Sequence, residues 1–150
     1  GLGTNTGNRK ENLTRAIEEL SLALGNCILK SSFIETEPWG YNSENRFLNC
    51  AVSFETDKSP IELLDATEEI ERKLGRTTKS CNGIYHDRII DIDILLYGDE
   101  IIDNERLVIP HPLMHRRDFV LTPLCEIAAE AIHPTSKKSI RALHEECQNE

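Results

Sequence analysis

The sequence lacks a basic excess, a long hydrophobic run, a paired-cysteine motif and a glycine-lysine phosphate loop, and each absence removes a class of function. There are 17 Lys+Arg against 26 Asp+Glu, a formal net charge of -9 and a pI of ≈ 5.1. Holding a nucleic-acid polymer by phosphate neutralisation needs the opposite balance, so no such partner is expected. The apolar runs stop at stretches such as Ile89-Ile90 and Ile94-Leu95-Leu96, far short of the roughly 18 residues of a membrane span. The opening Gly1-Leu2-Gly3-Thr4-Asn5 has neither the basic start nor the apolar stretch of a signal peptide, and a cytoplasmic location is expected. Cys27, Cys50, Cys81, Cys125 and Cys147 are odd in number and contain no Cys-x-x-Cys, which argues for reduced thiols, mostly in the core, rather than disulfides or a zinc ribbon. No Gly-x-x-x-x-Gly-Lys-Ser/Thr occurs, so a nucleotide would not be held by a P-loop.

What is present fits one compact domain over residues 1–150, expected as a monomer. Asn8 stands three residues before Glu11, and Leu13, Ala16, Ile17, Leu20 and Leu24 follow at helical spacing before Gly25, which predicts a capped amphipathic helix. Residues 27–36 are rich in strand formers. Phe47 to Glu55 alternates, with Leu48, Cys50, Val52 and Phe54 on the expected core face. Ser59-Pro60-Ile61-Glu62 is a capping box with proline at the first helical position, opening a helix to Leu74. Arg76 to Asp87 is a long polar loop, the kind that is usually functional or disordered. Arg88 to Tyr97 reads as the strongest strand, and a short strand at Leu107–Ile109, helical turns over 112–130 and a helix over 139–147 follow. The opening glycines look like the turn after a strand that is missing from the sequence. Adding it gives a βαββαβ, ferredoxin-like α+β sandwich with a C-terminal extension.

Alternation along the Arg88–Tyr97 segment puts Ile90, Ile92, Ile94 and Leu96 on one side and Asp91 with Asp93 on the other, about 6–7 Å apart along the strand. Ile89 and Leu95 flank the acids on their own face, so that face is partly apolar. Two carboxylates there repel unless a cation joins them, and oxygen ligands at low charge suit magnesium. Basic residues gather at Arg72, Lys73, Arg76, Lys79 and Arg88, and again at Arg106, His111, His115, Arg116 and Arg117. In an acidic chain, cations bracketing an acidic pair suit an anion that arrives with its own metal, such as a nucleotide polyphosphate. His111-x-x-x-His115 has the spacing of a helical zinc pair, but Pro112 interrupts it and separate roles are expected. On these residues alone a metal-dependent phosphoester hydrolase using Asp91, Asp93, His111 and His115, or a ligand-binding module without turnover, stays open.

A resemblance narrows this. Gly3-Thr4-Asn5 with Arg9, Thr36-Glu37-Pro38-Trp39-Gly40, Phe47-Leu48-Asn49, Gly75-Arg76, Asp87-Arg88-Ile89-Ile90-Asp91-Ile92-Asp93-Ile94-Leu95, Pro110-His111 and Arg117-Asp118-Phe119 resemble the 6-hydroxymethyl-7,8-dihydropterin pyrophosphokinases of folate biosynthesis, over almost the whole chain. The resemblance implies transfer of the diphosphate of ATP to the pterin hydroxymethyl group. It assigns two Mg2+ ions to Asp91 and Asp93, and catalytic arginines to Arg76 and Arg88. Nucleotide contacts fall on Glu71, Arg76, Arg88, Ile92, Arg106, His111 and Arg117, and pterin contacts on Thr36, Pro38, Trp39, Phe47, Asn49 and Phe119. The chain departs from the family pattern at Thr78, where many members have a second loop arginine, at Tyr85-His86-Asp87, and at Val108 and Pro112.

Overall fold

The computed structural model describes residues 1–36, 46–75 and 89–149. Among the described residues, eight short strands and four α-helices build an α+β fold: β1 (Leu2–Thr4), α1 (Arg9–Leu24), β2 (Cys27–Lys30), β3 (Ile34–Thr36), β4 (Phe47–Cys50), β5 (Val52–Phe54), α2 (Pro60–Leu74), β6 (Asp91–Ile92), β7 (Ile102–Asp103), β8 (Val108–Ile109), α3 (Asp118–Ala128) and α4 (Ile140–Gln148), with a 3-10 turn at Met114–Arg116. The main sheet runs β3-β4-β1-β6, and every neighbouring pair is antiparallel.

The helices start where their caps dictate. Asn8 accepts the Glu11 N–H, and Gly25, at φ 108, takes the left-handed conformation that ends α1. Ser59 and Glu62 close a reciprocal capping box, with Pro60 opening α2.

Three strand expectations need correction. The segment expected to follow a missing strand is itself one: Leu2–Thr4 lies between β4 and β6. Residues 27–36 and 47–55 are not continuous strands, because both break at one point. There the Ser31 N–H donates to the Ala51 carbonyl (2.9 Å) and the Ala51 N–H donates to the Ser31 hydroxyl (2.8 Å), so a side chain replaces a ladder bond. The break divides this hairpin into β3–β4 and β2–β5. In the third case, pairing within Arg88–Tyr97 covers only Asp91–Ile92 among the described residues. The Asp93 N–H still donates to the Gly1 carbonyl (2.8 Å), whereas the Leu95 carbonyl accepts from the His111 N–H (3.0 Å). The β7 partner of β8 was not foreseen, because two residues carry no period to read.

Two apolar clusters flank the sheet. Leu2, Cys50 and Ile90 pack with Leu13, Ala16 and Leu20 of α1 and Ile70 and Leu74 of α2, while Leu48, Val52 and Phe54 lean on the same cluster. The second joins Ala51 and Leu95 to Met114, Leu121, Leu124, Ile140 and Leu143, anchoring α3 and α4. Each fully buried leucine contributes about 1.5–3 kcal/mol, so these clusters rather than surface ion pairs carry the fold. The four described cysteines are free thiols, and burial pushes that of Cys50 up to about 11.

Candidate active site

The register of β1 sorts the side chains. Leu2 lies opposite Cys50 and Ile92, and Thr4 opposite Leu48; all are on the side covered by α1 and α2. Gly3 lies opposite Asn49 on one neighbour and Asp91 on the other. Directly opposed residues share a face, so Asn49, Gly3 and Asp91 form a row across three strands on the reverse face. That row floors a cavity of about 220 Å3, which Thr36, Phe47, Asp93, Arg117 and Phe119 also line.

The polar wall is built from strands. Asn49 is buried at 5% exposure and its amide Nδ2 donates to the Thr36 hydroxyl (2.8 Å), fixing two hydrogen-bonding groups at one end. The acidic wall is fixed from three directions. The Thr4 hydroxyl donates to the Ile89 carbonyl, the Glu71 carboxylate of α2 accepts the Ile92 N–H (2.9 Å), and Gly1 pairs with Asp93. Ile92 is thereby held by its backbone while its side chain packs on the α1–α2 core. On the third side, Arg117 is the N-cap residue of α3 and its guanidinium lies 5.7 Å from the centre of the Phe119 ring. A cation and the positive end of a helix therefore border the same cavity as the two acids.

His111 does not line the cavity but feels it. Burial lowers its pKa; Asp93 opposes that shift and Arg117 adds to it. Its Nδ1 accepts the Leu113 N–H (3.3 Å), which leaves the proton of the neutral ring on Nε2 as a donor for an anion. The helical zinc spacing is not realised: residues 114–116 form a 3-10 turn, and the His115 ring meets His133 edge-on at 6.5 Å. Arg106 lies elsewhere, bonded to Asp65 (2.7 Å) and Glu68 (2.8 Å) on the outer side of α2. Pro38, Trp39, Arg76, Thr78, Lys79, Tyr85, His86, Asp87 and Arg88 lie outside the described residues. Cavity residues that sequence reasoning left without a site role are Gly1 and Leu2 of the opening segment, Cys50, which periodicity placed in the core, Val120, which no motif marks, and Gly3, whose part emerges only from the cross-strand register.

The donor set suits magnesium. Two carboxylates border one cavity, and among the described residues no group of three or more metal-ligating side chains occurs. Mg2+ is held by one or two carboxylates, with water and substrate phosphates completing its shell.

Residues 1–129 match the family described as 7,8-dihydro-6-hydroxymethylpterin-pyrophosphokinase. The chain belongs to this family. A 2-amino-4-hydroxy-6-hydroxymethyldihydropteridine pyrophosphokinase of Porphyromonas gingivalis is 46% identical over 134 residues, covering 89% of this chain and 90% of that protein. The proteins of the same name in Haemophilus influenzae (41% over 137 residues; 91% and 84% covered) and Bacillus subtilis (43% over 130 residues; 86% and 76% covered) agree. Membership makes the chain a pyrophosphokinase of folate biosynthesis, with ATP as its co-substrate. No described helix is long and apolar enough to cross a membrane.

Proposed function

We propose that the reaction takes place in the cavity on the reverse face of the sheet. There the chain transfers the β,γ-diphosphate of ATP to the hydroxymethyl oxygen of 6-hydroxymethyl-7,8-dihydropterin, giving AMP and the pterin diphosphate. The observation that carries this reading is the grouping of Thr36, Asn49, Phe47 and Phe119 with Asp91, Asp93 and Arg117 around one space. A flat heterocycle needs apolar faces and a few fixed polar groups at its edge. Phe47 and Phe119 supply the former and the Thr36–Asn49 pair the latter, and the family pattern adds Pro38 and Trp39 to the pterin contacts.

In the transfer, the substrate oxygen bonds to the β-phosphorus, its proton passes to solvent water, and the bond from that phosphorus to the α–β bridging oxygen breaks so that AMP leaves with that oxygen. Catalysis of this kind is positioning and charge neutralisation. Asp91 and Asp93 would hold two magnesium ions, which would supply neutralisation of the charge on the phosphate oxygens. Arg117, Arg76 and Arg88 contact the same oxygens, and the His111 Nε2–H donates to a phosphate. Glu71, Ile92 and Arg106 border the nucleotide, Arg106 after leaving Asp65 and Glu68. The fold that goes with this reading is the ferredoxin-like βαββαβ sandwich in a single cytoplasmic, monomeric domain, with Leu2–Thr4 as its first strand.

Incubation with ATP and magnesium, with and without the pterin, tests the reading. AMP formation that requires the pterin is expected, whereas steady phosphate release without it would favour the hydrolase.

A further inference from the structure

Gly3 stands inside a strand paired on both sides, a place where glycine weakens the ladder and usually marks a close approach. Its backbone does not require glycine, since its φ lies outside the left-handed region that Gly7, Gly25 and Gly98 occupy. The reason lies on the cavity side. A β-carbon at this position would stand 2.6 Å from the Asn49 Oδ1 and 3.8 Å from its Cγ and, its chain neighbours apart, would meet nothing else within 4 Å among the described residues. Asn49 cannot yield cheaply, because it is buried and its Nδ2 is committed to the Thr36 hydroxyl at 2.8 Å. Turning the amide away from a new methyl group breaks that bond or redirects its oxygen.

We propose that Gly3 is a positioning residue for substrate recognition. By carrying no side chain, it lets the Asn49 amide lie flat over β1 in the one orientation that pairs with Thr36 and presents a fixed hydrogen-bonding edge to the pterin. It acts through Asn49 and touches neither the metal nor the reacting atoms. The proposal rests on the reading of this cavity as the pterin site.

The experiment is a double-mutant cycle. The affinity for 6-hydroxymethyl-7,8-dihydropterin is measured by calorimetry for the wild type, Gly3→Ala, Asn49→Ala and the double variant, with KM for ATP and the thermal midpoint recorded alongside. The expected result is a loss of pterin affinity of about tenfold or more in Gly3→Ala and a similar or larger loss in Asn49→Ala, the size of effect seen when a fixed hydrogen-bonding edge is lost. Adding Gly3→Ala to Asn49→Ala should change affinity by less than about twofold, since the atom it would strike is gone. KM for ATP should stay within about twofold throughout, which separates the pterin edge from the nucleotide contacts, and the thermal midpoint shows whether a loss of folding has lowered the active fraction. Thr36→Val removes the acceptor without adding bulk at Gly3 and should reproduce the direction of Gly3→Ala. Wild-type pterin affinity in Gly3→Ala, with Asn49→Ala weakened, overturns the proposal and leaves the pterin site standing. An equal further loss on top of Asn49→Ala overturns the coupling through Asn49. Wild-type affinity in Asn49→Ala overturns the cavity reading and the proposal together.

Discussion

The two faces of the β4-β1-β6 ribbon are made by the same few residues, alternating, yet they behave as different materials. The face under α1 and α2 presents Leu2, Cys50 and Ile92 to an apolar cluster in which Leu13 and Ala16 have no exposed surface. The reverse face presents Asn49, Gly3 and Asp91 to an open cavity, with Phe47, Asp93 and Arg117 around it. On the first face any apolar side chain of suitable volume would serve, because burial is proportional to area and indifferent to direction. On the second, each group is useful only at its own position, because hydrogen bonds and charges act at defined distances. Within this ribbon, the apolar packing on α1 and α2 lies on one face and the proposed chemistry on the other, while a second apolar cluster under α3 and α4 adds to stability.

Variants can break this division. Leu13→Ala on the core face should cost about 2–5 kcal/mol by opening a cavity in a fully buried site. Denaturant unfolding will measure it, and pterin affinity of the molecules still folded should not change. Glu71 links the faces, since this residue of α2 accepts the N–H between the two acids. Glu71→Leu leaves that N–H without its acceptor, at about 1–3 kcal/mol, and should lower turnover as well as stability. Glu71→Gln keeps an acceptor and should restore most of both in unfolding and initial-rate measurements. A stability loss without any rate loss would show that the edge bond does not orient the acids.

The smallest effect expected is on pH dependence far from the cavity. Burial, and then the neighbouring His115, lowers the pKa of His133, whose Nδ1 accepts the Ser136 N–H. The unfolded chain therefore binds a proton more readily than the folded one. Stability from this group is present above the unfolded value of about 6.5 and is lost as pH falls through it towards the folded value. His133→Asn keeps an acceptor for Ser136 and should flatten the acid limb of a stability–pH profile. An unchanged slope would remove His133 as its source.

The core face was largely legible in the sequence. Leu13, Ala16, Leu20, Ile70 and Leu74 follow the helical period, and the caps at Asn8 and Ser59 lie where their side chains indicate. Strand ends were not legible, because the break at Ala51 depends on the Ser31 hydroxyl, 20 residues away in sequence. On the cavity face, the Asp91–Asp93 pair and the Phe47–Asn49 alternation could be read locally. The role of Gly3 could not, since it follows from a register that joins three separate strands. Glu71 could be named but not placed, and its bond to Ile92 is a tertiary fact.

The most direct test compares Asp93→Ala with Leu13→Ala in one assay, pterin-dependent AMP formation per folded molecule. Asp93→Ala should fold as the wild type does and lose about 10²-fold or more in rate, because a charge interaction realised in the transition state goes with it. Leu13→Ala should lose stability and keep its rate per folded molecule. A near wild-type rate in Asp93→Ala, or an equal loss of rate in folded Leu13→Ala, would contradict the assignment of the chemistry to the cavity face and of the Leu13 cluster to stability alone.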